Sequence, residues 1–193
     1  DASIEDLYTL ADNPMLSDWM QLVGPQIAGL ALSRNGPLDD LSFLPQVVGL
    51  RSLGIAGQPE LANLQGLEAL TQMDALMLSD NANLRDLSGL ENLTELGHLS
   101  LHGNARLQSL SALESLEATS ISLWLSDNDM LESLSGLEGI RGVRNLYVQD
   151  NTRLQSLTGL DELRRVDEIM WVEDNPSLSS IGALSSLEMV GNH

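Results

Sequence analysis

Apolar and polar positions recur along the chain in a fixed unit. Leu99 and Leu101 stand two apart, Asn104 follows, and Leu107, Leu110, Leu113 and Leu116 then come at steps of three. The same unit surrounds Asn81, followed by Leu84, Leu87, Leu90 and Leu93, and Asn151, followed by Leu154, Leu157, Leu160 and Leu163. The polar residue recurs as Asn35, Asn81, Asn104, Asn128, Asn151 and Asn175, with Gln58 filling the one gap, at spacings of 23 or 24. A degenerate unit precedes them in Tyr8, Leu10, Asn13, Leu16, Trp19 and Leu22, and Asp12-Asn13-Pro14 reappears as Asp174-Asn175-Pro176. Self-similarity at a fixed period of this length marks a stacked repeat architecture.

Each unit predicts one coil. The L-x-L piece has the period of a strand, so its two leucines face inward and the residue between them faces out. The L-x-x-L-x-x-L piece suits a near three-per-turn return, 3₁₀-like or irregular, better than a long helix. A single coil cannot bury its apolar face alone, whereas stacked coils bury it continuously. Eight parallel strands about 4.8 Å apart give a solenoid roughly 35 to 40 Å long. The Asn ladder is expected to turn the chain inward and satisfy backbone groups of neighbouring coils, so it is scaffold. Small residues at Gly66, Gly89, Ala112, Gly136, Gly159 and Ala183 are expected to permit a close turn; Phe43 departs from that pattern.

These segments, such as NARLQSLSALESL and DNTRLQSLTGLDEL, resemble the leucine-rich repeat superfamily. Its L-x-x-L-x-L-x-x-N-x-L signature fits apart from one residue, since Leu107 follows Asn104 as N-x-x-L. That variant is similar to receptor L-domains and bacterial surface repeats. The resemblance implies an α/β-type, L-domain-like right-handed solenoid of about eight coils, with a parallel β-sheet and short 3₁₀ or irregular returns. It also implies a binding module, although fold alone does not name a ligand. One repeat domain spans 1–193: 1–29 is a degenerate N-terminal repeat or cap, and 30–193 holds seven regular repeats. Ile4, Leu7 and Leu10 or Ala11 could alternatively share the face of a short capping helix. The start at Asp1 and the uncapped end at His193 are expected of a processed chain or a part cut from a longer one, or of an end covered by a partner.

Composition narrows the partners. The chain has 193 residues, 28 acidic against 9 basic side chains, no Cys, and a formal charge of −19. Every basic residue is Arg. This balance disfavours nucleic acid and anionic membrane surfaces as partners. No apolar run approaches the ~18 residues of a membrane span, so membrane insertion is not expected. The absence of Cys removes disulfides and thiolate chemistry.

The sequence offers little catalytic chemistry. His98 and His102 share a strand face, but four residues at ~3.3 Å place them about 13 Å apart, too far to share one metal ion. A Ser-His-Asp group could be drawn from His102, Ser126 and Asp127, with Ser79 and Asp80 on the other side, yet a nucleophile also needs a pocket and an oxyanion hole. There is no phosphate-binding glycine loop, H-E-x-x-H or EF-hand spacing. Asn92-Leu93-Thr94 is a formal glycosylation triplet. No enzyme activity, cofactor or metal is expected, and calcium at stacked carboxylates finds few ligands per ion.

The outward strand positions are richer. The central column reads Thr9, Ala31, Gly54, Met77, Ser100, Trp124, Tyr147 and Trp171, so half of the six aromatics fall on three consecutive coils. Three residues on, Asp127, Asp150 and Asp174 follow the aromatics, with His102, Ser126, Gln149 and Glu173 beside them. Asp before Asn is a common turn former, so that column can simply end the strand. Stacking alone explains the aromatics less well than interaction does. The expected ligand-binding residues are therefore Trp124, Tyr147, Trp171, Asp127, Asp150, Asp174, His102 and Glu173. The expected function is non-catalytic recognition, secreted or at a bacterial cell surface. The partner would be a protein with a basic surface or a glycan. The rival is a structural protein that self-assembles through open solenoid ends, giving a filament, surface layer or homo-oligomer.

Overall fold

The computed structural model describes residues 7–13, 27–36, 38–42, 44 and 49–191. Among these, nine strands form one parallel sheet in chain order. They are β1 (Leu7–Ala11), β2 (Gly29–Ser33), β3 (Ser52–Ala56), β4 (Gln72–Ser79), β5 (Glu95–His102), β6 (Ile121–Ser126), β7 (Gly142–Gln149), β8 (Arg165–Glu173) and β9 (Met189–Val190). The repeat sets the register: Leu30 pairs with Leu53, Leu53 with Leu76, Leu76 with Leu99, and Leu99 with Leu123. The result is a parallel β-solenoid of about seven turns.

Two expectations change. Helix is nearly absent among the described residues, which hold only the 3₁₀ turns Ser111–Leu113 and Gly182–Ser186, so the α/β-type description does not fit the returns. The leucines spaced by three instead close tight i to i+3 bonds: Leu93 N–H donates to Leu90 C=O at 2.9 Å, and Leu116 N–H to Leu113 C=O at 2.9 Å. About seven turns stand against the eight coils expected. The first return, with Leu16, Trp19 and Leu22, lies outside the described residues, as do Ile4, Phe43 and His193. Residues 7–11 are strand rather than part of a capping helix.

One coil shows how the core is built. Leu99, Leu101, Leu107, Leu110, Leu113 and Leu116 are all fully buried, and each such side chain contributes roughly 1.5–3 kcal/mol of transfer free energy. The core runs continuously from Ile27 to Val166. Beyond it, Met170, Val172, Leu178, Leu184 and Leu187 are only partly buried.

Glycine decides the form of the returns. Gly66, Gly89, Gly136 and Gly159 all have φ near +110°, and a Cβ at Gly89 would sit 2.1 Å from the Leu64 carbonyl oxygen. No L side chain fits that conformation or that space. Where Ala112 and Ala183 replace the glycine, the chain instead winds the two 3₁₀ turns. Carboxylates two residues after the glycines complete the turn: Glu68, Glu91, Glu138 and Asp161 accept the N–H of Gly66, Gly89, Gly136 and Gly159. Part of the chain's acidity therefore belongs to its scaffold.

The Asn ladder is scaffold as well. Asn81, Asn104, Asn128 and Asn151 are fully buried, and their Nδ2 groups donate to the carbonyls of Ile55, Leu78, Leu101 and Leu125 at 2.9–3.0 Å. Their Oδ1 atoms accept from the preceding coil, as Asn151 does from the Asn128 N–H at 3.0 Å. Gln58 occupies the gap without filling it. Its side chain is buried, yet neither Oε1 nor Nε2 has a hydrogen-bond partner. Glutamine is one methylene longer than the asparagine of the other rungs, and its amide makes none of their bonds.

Candidate functional site

Parallel pairing turns the outward residues into columns. Ser100 pairs with Trp124, Trp124 with Tyr147, and Tyr147 with Trp171. Trp124 and Tyr147 are in ring contact, with centroids 4.3 Å apart and planes tilted by 37°. Trp124 is 45% and Trp171 48% exposed, although both are large apolar side chains. Met77, in the outward column of the sequence, and Ile169 are also exposed on this face, and neither is among the expected binding residues. The ring of His98 meets Trp124 edge-on at 6.3 Å. Burial disfavours its charged form and holds its pKa below 6.5.

The Asp column ends the strands. Asp12, Asp80, Asp127, Asp150 and Asp174 all have φ between 51° and 57°, and Gly57 and Gly103 share the conformation. Left-handed backbone favours Gly and Asp, so turn geometry accounts for the residue type. Arg34 breaks the rule with φ 47°, and its guanidinium holds Asp12 bidentately at 2.7 and 3.0 Å. That pairing lowers the Asp12 pKa. The turn still gathers carboxylates: Asp127, Asp150 and Asp174, with Asp129 and Thr152, line one open depression at the C-terminal ends of β6, β7 and β8. Beside it, Gln149 Nε2 donates to Glu173 Oε1 at 2.6 Å.

His102 joins this rim. Its Nδ1 lies 2.8 Å from Ser126 Oγ and 3.2 Å from Asp127 Oδ2. Both partners meet the same ring nitrogen. A nucleophilic relay requires serine and carboxylate on opposite nitrogens, so this geometry orients the ring without linking the two groups.

The opposite rim carries cations that sequence reading did not single out. Arg141, Arg164 and Arg165, with Thr119, Glu188 and Met189, line a notch at the starts of β7 to β9. The signal was in the chain, where five of the nine Arg fall between 141 and 165. The 23 residues from Arg141 to Arg164 set these two on adjacent coils, but the register shifts in β6–β7 and β7–β8 separate these ends from the columns of the L-x-L unit. The eight expected site residues thus share the C-terminal half of one face, aromatics central and carboxylates on one rim. No helix among the described residues is long and apolar enough to cross a membrane. The sequence matches no protein-family model and no curated protein.

Proposed function

We propose that the chain is a leucine-rich-repeat-like, non-catalytic recognition module, working outside the cell or at its surface, that binds a protein partner through the sheet face at β6 to β8. The observation that carries this reading is the exposed aromatic column itself. Trp124 and Trp171 are exposed, with half-buried Tyr147 on the strand between them, where the same column on β2 and β3 holds Ala31 and Gly54. Clustered exposed aromatics are characteristic of binding hot spots. The carboxylates beside them suit Arg or Lys side chains, which aromatic faces also attract.

A displayed random-peptide library and a glycan array, each probed with the purified protein, test the proposal. Selected peptides should be rich in Arg or Lys, and should lose binding when Trp124, Tyr147 and Trp171 are changed to Ala together. Peptides that bind the triple variant undiminished would move the site elsewhere. Glycan ligands without peptide ligands would replace protein by sugar.

End-to-end association is a second reading, favoured by a different observation. Ile181 is 61% and Val190 51% exposed on the last coil, where apolar positions are incompletely covered. Ile169→Lys should then reduce any concentration-dependent association in sedimentation. A strict monomer at high concentration removes this reading.

A further inference from the structure

We infer that the notch of Arg141, Arg164 and Arg165 receives a carboxylate of the partner, so that the sheet face reads a segment basic at one end and acidic at the other. This rests on the recognition reading above and adds its second charge. Arg141 and Arg164 are adjacent rungs, with the Arg164 N–H donating to the Arg141 carbonyl at 2.9 Å. Like charges on neighbouring strands repel. In a chain with 28 acidic residues, two rungs of Arg side by side are a notable placement. Asp167 pairs with Arg165 at 3.4 Å, but the two adjacent rungs are relieved little: Glu188 reaches Arg164 only at 4.0 Å, and Arg141 has no ion-pair partner among the described residues.

The notch is also shaped. Arg165 Nη2 donates to the Thr119 carbonyl at 3.0 Å, which draws its side chain back across β7. It passes over Gly142, where a Cβ would lie 3.0 Å from Arg165 Nε and 2.5 Å from the Thr119 oxygen. Glycine there leaves room for the guanidinium and for what it faces. Planar guanidinium groups bind carboxylates through paired N–H donors.

The two rims set the length of the ligand. From Arg141 to Asp150 is nine steps along β7, about 30 Å at strand rise, with Tyr147 between. An extended nine-residue segment spans about the same distance. A polyanion would meet the repulsion of a protein at −19, whereas a segment of mixed charge places its acid at the arginines and its base at the aspartates.

The test uses three blocked nine-residue peptides with tyrosines at the centre. One carries two glutamates at one end and two arginines at the other, one has arginines at both ends, and one has glutamates at both ends. Binding to the intact protein and to each variant is followed by titration calorimetry at physiological salt. The mixed peptide should bind at least threefold more tightly than the doubly basic one, although net charge alone favours the latter. Arg141→Gln with Arg164→Gln, both exposed positions, should erase that preference without weakening the doubly basic peptide. If the doubly basic peptide binds more tightly to the intact protein, the carboxylate site is wrong while the recognition face stands. Tightest binding by the doubly acidic peptide, or no binding of the mixed peptide at millimolar concentration, also overturns the inference. Mixed-peptide binding that persists after Trp124, Tyr147 and Trp171 are changed to Ala instead overturns the recognition reading beneath it.

Discussion

The coils at β1 to β3 and those at β6 to β8 share one scaffold and present two different surfaces. Behind the sheet they are alike: Leu30 and Leu53 are as fully buried as Leu123 and Leu146. In front, the central column holds Ala31 and Gly54 on one side and Trp124, Tyr147 and Trp171 on the other. The strands differ too, five residues long in β1 to β3 and up to nine in β8. The inward positions carry the demands of stacking, while the outward positions are free to vary. A surface that departs from blandness on three consecutive coils is not demanded by stacking, and it is there that the proposed recognition face is placed.

The sharpest challenge to that division comes from the return glycines, which belong to the scaffold of both halves. Gly66→Ala and Gly159→Ala would place a Cβ 2.3 and 2.0 Å from a carbonyl oxygen of the preceding coil, at a φ that Ala avoids. Strain and overpacking together should cost each variant about 3–5 kcal/mol in chemical denaturation. A tolerant Gly66 beside an intolerant Gly159 would show that the two halves do not share one scaffold.

The Asn ladder sharpens the comparison at its one flaw. Asn104→Ala or Asn128→Ala leaves buried carbonyls without donors and should cost about 1–3 kcal/mol. Gln58→Asn should act in the opposite direction and raise stability by a similar ~1–3 kcal/mol, by placing an amide where the Leu32 carbonyl and Asn35 N–H can meet it. Ser100→Ala, on the outward face between them, should change little. Denaturation midpoints that fail to separate these classes would place the inward and outward registers wrongly.

Function enters with the aromatics. Changing Trp124, Tyr147 and Trp171 to Ala together should remove peptide binding while lowering the melting temperature only modestly. Their stacking contributes roughly 0.5–1.5 kcal/mol per pair, and their side chains fill none of the core. Ala31→Ser with Gly54→Ser, in the same column of the other half, should alter neither property. A triple variant that unfolds would make these rings structural and erase the contrast between the halves.

These cases also show what a sequence can and cannot disclose. The strand register was legible because Leu99 and Leu101 repeat as Leu123 and Leu125, and any slip would turn leucine to water. The aromatic column followed from the same arithmetic. The ladder was legible in its asparagines and misleading at Gln58, whose buried amide makes none of the ladder's bonds. The double contact on one nitrogen of His102 depends on ring orientation, which spacing leaves open. The arginine notch was hidden for another reason. Arg141 and Arg164 stand one repeat of 23 residues apart, but they precede the L-x-L unit, and the bulges at Ile121–Ser122 and Val143–Asn145 separate them from the columns that unit defines.

The smallest expected effect is titration of His98, which belongs to the C-terminal face alone. Burial against Trp124 lowers its pKa below 6.5, whereas the unfolded chain restores the ordinary value. Below pH 6.5 the unfolded state therefore binds a proton more readily than the folded state does, and stability should fall as pH drops from there through the folded pKa. Above that window the group is neutral in both states and contributes no pH dependence. Denaturation of the native chain and of His98→Gln across this range should give curves that converge on acidification, the native chain losing its margin first. Tryptophan fluorescence should report the same midpoint, because Trp124 faces the titrating ring. A His98 midpoint at or above 6.5, or a fluorescence titration unchanged by His98→Gln, would show that the ring is solvated and that the aromatic column begins at Trp124 without it.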